Sequence, residues 1–275
     1  MTRLRSFLYV PGDRPDRVAK AMASTADAVI VDLEDAVKPA SKPAARDALR
    51  ALPTRTAGQR WVRINAGVDG RADLLALSAL ADLERGEGRV GIDGVVVAKC
   101  ETVDWLDEVA AAVGDRVAIA PLVESALALR RLDAICAHQR TVQCQLGEVD
   151  LLADLGGRPP GGHALVDRAR LDLVVASAAA GIAAPIGGVH LAIDDLEALR
   201  STSEALADIG FAGRAIVHPT HCAVVNEAFS PTAAGLAWAE DVLARWAAAS
   251  TGAVRAADGS MIDEAVVRRA RRLTA

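Results

Sequence analysis

Short apolar runs rich in Val and Ile recur along the chain, separated by segments whose apolar residues fall three or four apart. The runs are Phe7–Val10, Ala28–Leu33, Trp61–Ile64, Val95–Ala98, Val117–Val123, Thr141–Leu146, Ile186–Ala192 and Ala215–His218. Near-continuous runs of this length predict strands buried on both faces, as in parallel sheets. The seventh is the weakest, because Gly187 and Gly188 interrupt it. Between the runs, Val103, Leu106, Val109 and Val113 show helical spacing, with Thr102 placed as an N-cap. Ser41 ahead of Pro43 marks another helix start, leading into Ala45, Leu49 and Leu52. Leu165 to Ala180 predicts a long apolar helix stopped by Gly181.

Strands alternating with helices build either an open doubly wound sheet or a closed barrel. Eight such units match a (β/α)8 TIM barrel, and no GxGxxG follows the first strand to favour a dinucleotide fold. The barrel is expected to occupy residues 1–230. Residues 231–275 then form a C-terminal helical extension: a helix from Pro231 to about Ala249, a turn at Asp258-Gly259, and a last helix. A bare barrel does not need this tail, so it is expected to act as a cover or lid. The Gly-rich stretch 156–162 is read either as a second lid or as a plain connection.

At 275 residues the chain can bury a large core, and 52% of it is hydrophobic although only 3% is aromatic. Ala, Val and Leu therefore supply the core volume. With 31 Lys and Arg against 36 Asp and Glu, the net charge is −5, which gives no electrostatic reason to bind nucleic acid. The one basic run, Arg268, Arg269, Arg271 and Arg272, reads as a solvated helix face. Cys100, Cys136, Cys144 and Cys222 show neither CxxC spacing nor a disulfide framework, which suits a reduced setting. No signal peptide precedes the first strand, and no apolar stretch reaches the roughly 18 residues of a membrane span. A cytoplasmic protein without membrane contact is expected.

Charge changes the picture most at the ends of the strands, where barrels of this kind carry their chemistry. The first strand ends in Pro11-Gly12-Asp13-Arg14, the second in Asp32-Leu33-Glu34-Asp35, and the third in Arg63-Ile64-Asn65. Lys99 ends the fourth, Glu124 the fifth, Glu148 and Asp150 the sixth, and His218 the eighth. A carboxylate after a strand is commonly a helix cap. So many on one rim need cations to hold them, and Arg63, Lys99 and a metal are the candidates. Glu124 and Asp150 end neighbouring strands, and two carboxylates plus water and substrate oxygens are what octahedral Mg2+ accepts. No zinc-type His or Cys spacing accompanies them, and Pro219 between His218 and His221 spoils a helical metal pair.

These segments resemble the citrate lyase β-subunit-like family of the HpcH/HpaI aldolases along nearly the whole chain. Arg5-Ser6-Phe7-Leu8-Tyr9-Val10-Pro11-Gly12 is similar to its opening strand, and Asp32-Leu33-Glu34-Asp35-Ala36-Val37 with Lys42 and Arg46 to its second signature. Val62-Arg63-Ile64-Asn65, Ala98-Lys99-Cys100-Glu101, Leu122-Val123-Glu124-Ser125 and Leu146-Gly147-Glu148-Val149-Asp150-Leu151 match the next ones. The stretch Gly210 to Pro219, with Asn226 and Phe229, and the lid-like Asp258 to Asp263 complete the resemblance.

The resemblance implies a Mg2+-dependent carbon–carbon lyase or synthase acting on 3-hydroxyacyl thioesters such as citramalyl-, malyl- or citryl-CoA, with a keto acid as the other fragment. It implies that Glu124 and Asp150 hold Mg2+, that Arg63 binds a substrate carboxylate or carbonyl, and that Arg14 and Lys20 meet CoA phosphates. Lys99 is grouped with the substrate-binding residues. Asp263 is the first candidate to move the proton, with Glu34 and Asp35 as alternatives that could instead hold Arg63 and metal waters. A homotrimer or a hexamer is implied, with the Asp263 carboxylate reaching a neighbour's site. The chain departs from the family pattern at Gly187, Thr220 and Ala98, and Gly187 is expected to alter the pocket wall. Two rival readings remain, a citrate lyase β subunit acting on an acyl-carrier-protein thioester within a complex and a CoA-free pyruvate-type aldolase; a malyl-CoA thioesterase is a variant of the main reading.

Overall fold

The computed structural model describes residues 4–53, 55, 57–83 (of 80–83 the backbone only), 91–249 and 252–274. Eight strands, β1 (Ser6–Pro11), β2 (Ala28–Asp32), β3 (Gln59–Ile64), β4 (Gly94–Val97), β5 (Ala118–Val123), β6 (Gln145–Leu146), β7 (Ile186–Gly187) and β8 (Gly213–Ile216), pair in chain order and close into a barrel. Every pairing is parallel, including the seam where Ser6, Phe7 and Leu8 of β1 meet Arg214, Ala215 and Ile216 of β8.

Helices α1 (Pro15–Met22), α2 (Lys42–Ala48), α3 (Gly67–Leu83) and α4 (Val103–Val113) follow the first four strands. Then come α5 (Ala126–Arg130), α6 (Leu132–Ala137), α7 (Glu148–Asp154), α8 (His163–Ala180), α9 (Leu196–Asp208) and α10 (His221–Ala228).

Side chains alternate across each strand, so a run apolar at every position fills two layers at once. Phe7, Ile30, Trp61, Val96, Ala120 and Ile186 form the apolar cluster inside the barrel, with Phe7 edge-on to Trp61 at 6.2 Å. Their neighbours Leu8, Val29, Val62, Val95 and Ile119 join the outer core beneath the helices. Thr102 caps α4, accepting the Trp105 N–H at 3.2 Å, and Gly181 ends α8 with φ of +70°. Both follow the sequence expectation.

Two expectations need correcting, and that for Ser41 holds with a difference in detail. The sixth and seventh strands are two residues each, much shorter than their apolar runs. Thr141 makes only an isolated bridge to Ile119, and beyond Gly188 the chain leaves the sheet with Leu191 67% exposed, so no burial holds it extended. Ser41 does start the α2 region but its side chain makes no capping bond; it ends a 3-10 turn, Pro39–Ser41, that leads into the helix. Gly187 is not on the pocket wall. A Cβ there would strike Leu206 of α9 at 2.6 Å, so that position faces outward, away from the barrel interior.

Ser230–Ala275 forms a second compact unit. It holds α11 (Ala233–Ala248), the antiparallel pair β9 (Val254–Arg255) and β10 (Met261–Ile262), and α12 (Glu264–Thr274). Ala239, Val242, Ile262, Val267 and Ala270 make its core, and Gly259 at φ +88° turns the hairpin. Arg268, Arg269, Arg271 and Arg272 are exposed on α12, Arg269 lying 5.0 Å over the Trp238 ring. No helix of the described residues is long and apolar enough to cross a membrane.

Closure of the barrel depends on a tight approach at β8. Arg5 O accepts the Arg214 N–H at 2.7 Å, and a Cβ on Gly213 would fall 2.2 Å from that same carbonyl oxygen. Since backbone cannot yield as a side chain can, Gly213→Ala is expected to cost about 1–3 kcal/mol or more, read as a lower urea midpoint at unchanged slope.

Candidate active site

The polar residues of the mouth are built outward from Asp32, the last residue of β2. It is fully buried, and its two oxygens accept the N–H groups of Glu34 (2.9 Å) and Ala36 (3.0 Å). On the adjacent strand, in register with it, stands Arg63, whose Nε and Nη2 each donate to Asp32 at 2.6 Å. This two-pronged pair leaves Nη1 toward Glu34, 3.2 Å from its Oε2, and sets the guanidinium 5.0 Å over the ring of Tyr9 on β1. Burial pulls the Arg63 pKa down, but the Asp32 bonds outweigh it and hold the group firmly charged.

Glu34 is 4% exposed and lies between two cations, Arg63 and Lys99. Burial raises its pKa, with Asp35 adding repulsion, while Arg63 and Lys99 oppose the rise. Lys99 Nζ donates to Glu34 Oε1 and sits 3.4 Å from both Asp35 oxygens. Burial lowers the Lys99 pKa, but its bond to Glu34, with Glu34, Asp35 and Glu124 attracting, prevails and carries it to about 12. Among the described residues Lys99 alone of the non-glycines has positive φ, at 48°. Such backbone is uncommon outside glycine and is held only where surroundings fix it. Here it turns the Lys99 N–H onto Glu124 Oε1 at 2.6 Å while the ammonium reaches Glu34.

Glu124 follows β5 and is 3% exposed. Burial pushes its carboxyl up to about 8; the Lys99 N–H lowers it, and Glu34 and Asp150 raise it further. Asp150 is half-buried in the first turn of α7, where a carboxylate suits the helix dipole. Gly147, three residues before Asp150, leaves room for the Glu124 side chain, since a Cβ there would lie 2.6 Å from Glu124 Oε2. Glu148, between them in sequence, is occupied elsewhere: Arg170 of α8 grips it with two bonds of 2.8 and 2.7 Å.

Five carboxylates (Asp32, Glu34, Asp35, Glu124 and Asp150) thus share the mouth with two cationic side chains, and the most buried of the unpaired ones resists ionisation. A divalent cation at Glu124 and Asp150 would remove that conflict. Among the described residues no three His, Cys, Asp or Glu side chains converge as a closed ligand set. Two carboxylates therefore leave most positions of an octahedral ion to water and substrate, which fits Mg2+ and not structural zinc.

Of the residues expected from sequence, Arg63, Glu34, Asp35, Lys99, Glu124 and Asp150 come together. Arg14 and Lys20 lie on exposed α1 or at its start, Arg14 paired with Asp16 at 3.2 Å. Asp263 belongs to the C-terminal unit, where its Oδ1 caps α12 by accepting the Ala265 (2.9 Å) and Val266 (3.0 Å) N–H groups. Lys42 and Arg46 support the mouth from outside: Lys42 donates to Asn65 (2.5 Å), and Arg46 to the fully buried Asp73 (2.6 Å), which also accepts from Asn65. Sequence reasoning missed the roles of Asp32, Tyr9, Gln145 and Arg170. Parity was the available signal for the first two, since Asp32 alternates with Ile30 and Tyr9 with Phe7, both interior residues.

A parallel eight-stranded barrel with a carboxylate-rich mouth defines a metal-assisted TIM-barrel enzyme class. Residues 5–219 match the HpcH/HpaI aldolase/citrate lyase family, and the chain belongs to that family. It is 38% identical over 268 residues to a citrate lyase subunit beta-like protein of Mycobacterium tuberculosis, covering 95% of this chain and 91% of the relative. It is 33% identical over 267 residues to a (3S)-malyl-CoA thioesterase of Cereibacter sphaeroides, covering 94% and 89%. The crystal structure of CitE from M. tuberculosis with magnesium, acetoacetate and coenzyme A superposes with a TM-score of 0.81 at 35% identity, covering 99% and 97% of the two chains.

Removing Asp32 strands the Arg63 charge in a buried site. Asp32→Ala is expected to lower stability by about 3–5 kcal/mol, measurable by urea unfolding, whereas Asp35→Ala at the exposed rim should change it by less than about 1 kcal/mol.

Proposed function

We propose that this chain is a Mg2+-dependent carbon–carbon lyase, or synthase in reverse, whose substrate is a 3-hydroxyacyl-CoA thioester of the citramalyl, malyl or citryl kind. The observation that carries this reading is the buried Glu124 beside Asp150, with Arg63 fixed by Asp32 at the same mouth. The family membership and the CitE complex with magnesium, acetoacetate and coenzyme A support the same chemistry.

Mg2+ held by Glu124 and Asp150 would polarise the oxygen of the 2-oxo or 2-hydroxy acid part. Arg63 binds the acid's carboxylate, with two of its nitrogens anchored on Asp32 so that the guanidinium keeps one orientation. Cleavage breaks the carbon–carbon bond as the 3-hydroxyl loses its proton. The electron pair goes to the thioester fragment as an enolate, which is then protonated on carbon. Asp263 is the assigned proton carrier; Glu34 and Asp35 hold Arg63 and Lys99. Arg14 and Lys20, basic and exposed, meet the CoA phosphates, Arg14 exchanging its solvent-exposed partner Asp16 for the anion.

The C-terminal unit is assigned to deliver Asp263 into the site of a neighbouring copy, in a homotrimer or a hexamer. The four cysteines are buried free thiols, in keeping with a reducing cytoplasmic setting. The 33% identity to a malyl-CoA thioesterase favours one second reading, hydrolysis of the thioester with the carbon chain intact.

Malyl-, citramalyl- and citryl-CoA, each offered with Mg2+ and with EDTA, test the reading through released keto acid and free CoA. A lyase gives keto acid without stoichiometric free CoA, stops in EDTA, and loses at least about a thousandfold in kcat on Glu124→Ala. Free CoA without keto acid identifies the thioesterase. Turnover only with a carrier-protein thioester, or of free hydroxy acids alone, sinks the CoA assignment. If Asp263 acts across subunits, inactive Arg63→Ala and Asp263→Asn chains should regain activity when co-expressed and purified as mixed oligomers; no recovery would place its action elsewhere.

A further inference from the structure

Beneath Arg63 lies a polar pair that the reaction above does not use. Tyr9, whose ring underlies the guanidinium, donates its hydroxyl to Gln145 Oε1 at 2.7 Å. Gln145 is 1% exposed, and its Nε2 has no hydrogen-bond partner. A buried donor left unmatched costs about 1–3 kcal/mol, and native interiors match such groups with protein, water or ligand. The Tyr9 bond orients the amide, holding Oε1 on the hydroxyl and turning Nε2 to the other side.

The surroundings restrict what can answer it. Gln145 sits in β6 in register with Leu122 of β5 and Ile186 of β7, at the level of the interior cluster. That cluster (Phe7, Ile30, Trp61, Val96, Ala120 and Ile186 among others) is apolar and offers no acceptor. The charged groups of the mouth stand at the other end. Two residues further along the same strand end, Gly147 stands against Glu124, and the Tyr9 hydroxyl feels the charges of Arg63, Asp32, Glu124 and Glu34. By register Gln145 stands one inward-facing position below Gly147, which meets Glu124, while Tyr9 lies under Arg63, so the pair lies at the base of the mouth.

We infer that Gln145 is a substrate-positioning and specificity residue: its Nε2 donates to an oxygen of the short oxo-acid fragment, and Tyr9 fixes the amide for that task. The inference rests on the lyase reading, but its test separates the two. A neutral donor on the floor, beside the Arg63 cation, selects a small acid carrying adjacent oxygens over one with an apolar group there. Gln145→Glu replaces the donor with a second acceptor, Gln145→Leu removes it, and Tyr9→Phe releases the amide without touching it.

Calorimetric titration with glyoxylate, pyruvate and oxaloacetate in saturating Mg2+ is the experiment, with Mg2+ affinity and melting temperature measured on the same proteins. Gln145→Leu should weaken binding of the acid about tenfold or more, the fold-change of one lost hydrogen bond to a charged group. Gln145→Glu should weaken it further, and Tyr9→Phe less than either, while Mg2+ affinity stays as in the parent. In synthase turnover the loss should appear in KM for the keto acid. Unchanged acid affinity in a folded Gln145→Leu or Gln145→Glu protein overturns the assignment alone and leaves Nε2 to a water. A parent protein that binds Mg2+ but none of the three acids overturns the lyase reading and this assignment together.

Discussion

The double hydrogen bond between Asp32 and Arg63 sets the geometry of the mouth. Two adjacent strands end in register with an acid and a base, and each would be costly to bury alone. Joined, they place one guanidinium nitrogen toward Glu34 and the flat face over Tyr9. Glu34, so held, takes Lys99, and the Lys99 backbone in turn supports Glu124. The chain of contacts crosses from β2 to β5 without a gap, which lets a rigid barrel fix charges that would otherwise repel.

That arrangement is unbalanced by design of its charges. Arg63 and Lys99 make their ion pairs with Asp32, Glu34 and Asp35, so Arg63 and the Lys99 N–H only partly offset the effect of burial on Glu124. Burial keeps the Glu124 carboxyl from ionising readily when no cation is near. On the proposed reading, a divalent ion held there would relieve that repulsion, and an anionic oxo acid would fill the ion's open positions. The strained backbone of Lys99 and the missing side chain of Gly147 belong to the same economy of space around Glu124.

Much of this was legible in the sequence. The eight near-continuous apolar runs indicated parallel strands buried on both faces, and their number, with no GxGxxG after the first, pointed to the barrel over an open doubly wound sheet. Arg63, Lys99, Glu124 and Asp150 were singled out because each stands at or just past a strand end, where a barrel gathers its chemistry, and the structure brings them to one mouth. The short sixth and seventh strands were not legible: Thr141 and Leu191 are apolar enough or β-prone enough to extend a run, and only their exposure or pairing shows that the sheet stops. Gly187, taken for pocket wall, faces Leu206 because strand parity at a two-residue strand is too short to read.

By itself, then, the sequence determined the order of strands and helices and the place of the charges at one rim, because these depend on local pattern. Tertiary structure alone decided which charge answers which. Asp32 and Arg63 are 31 residues apart, Glu34 and Lys99 65, and Tyr9 and Gln145 136. Partners so distant in sequence meet only after closure of the barrel fixes the register of neighbouring strands, and no local propensity encodes that register.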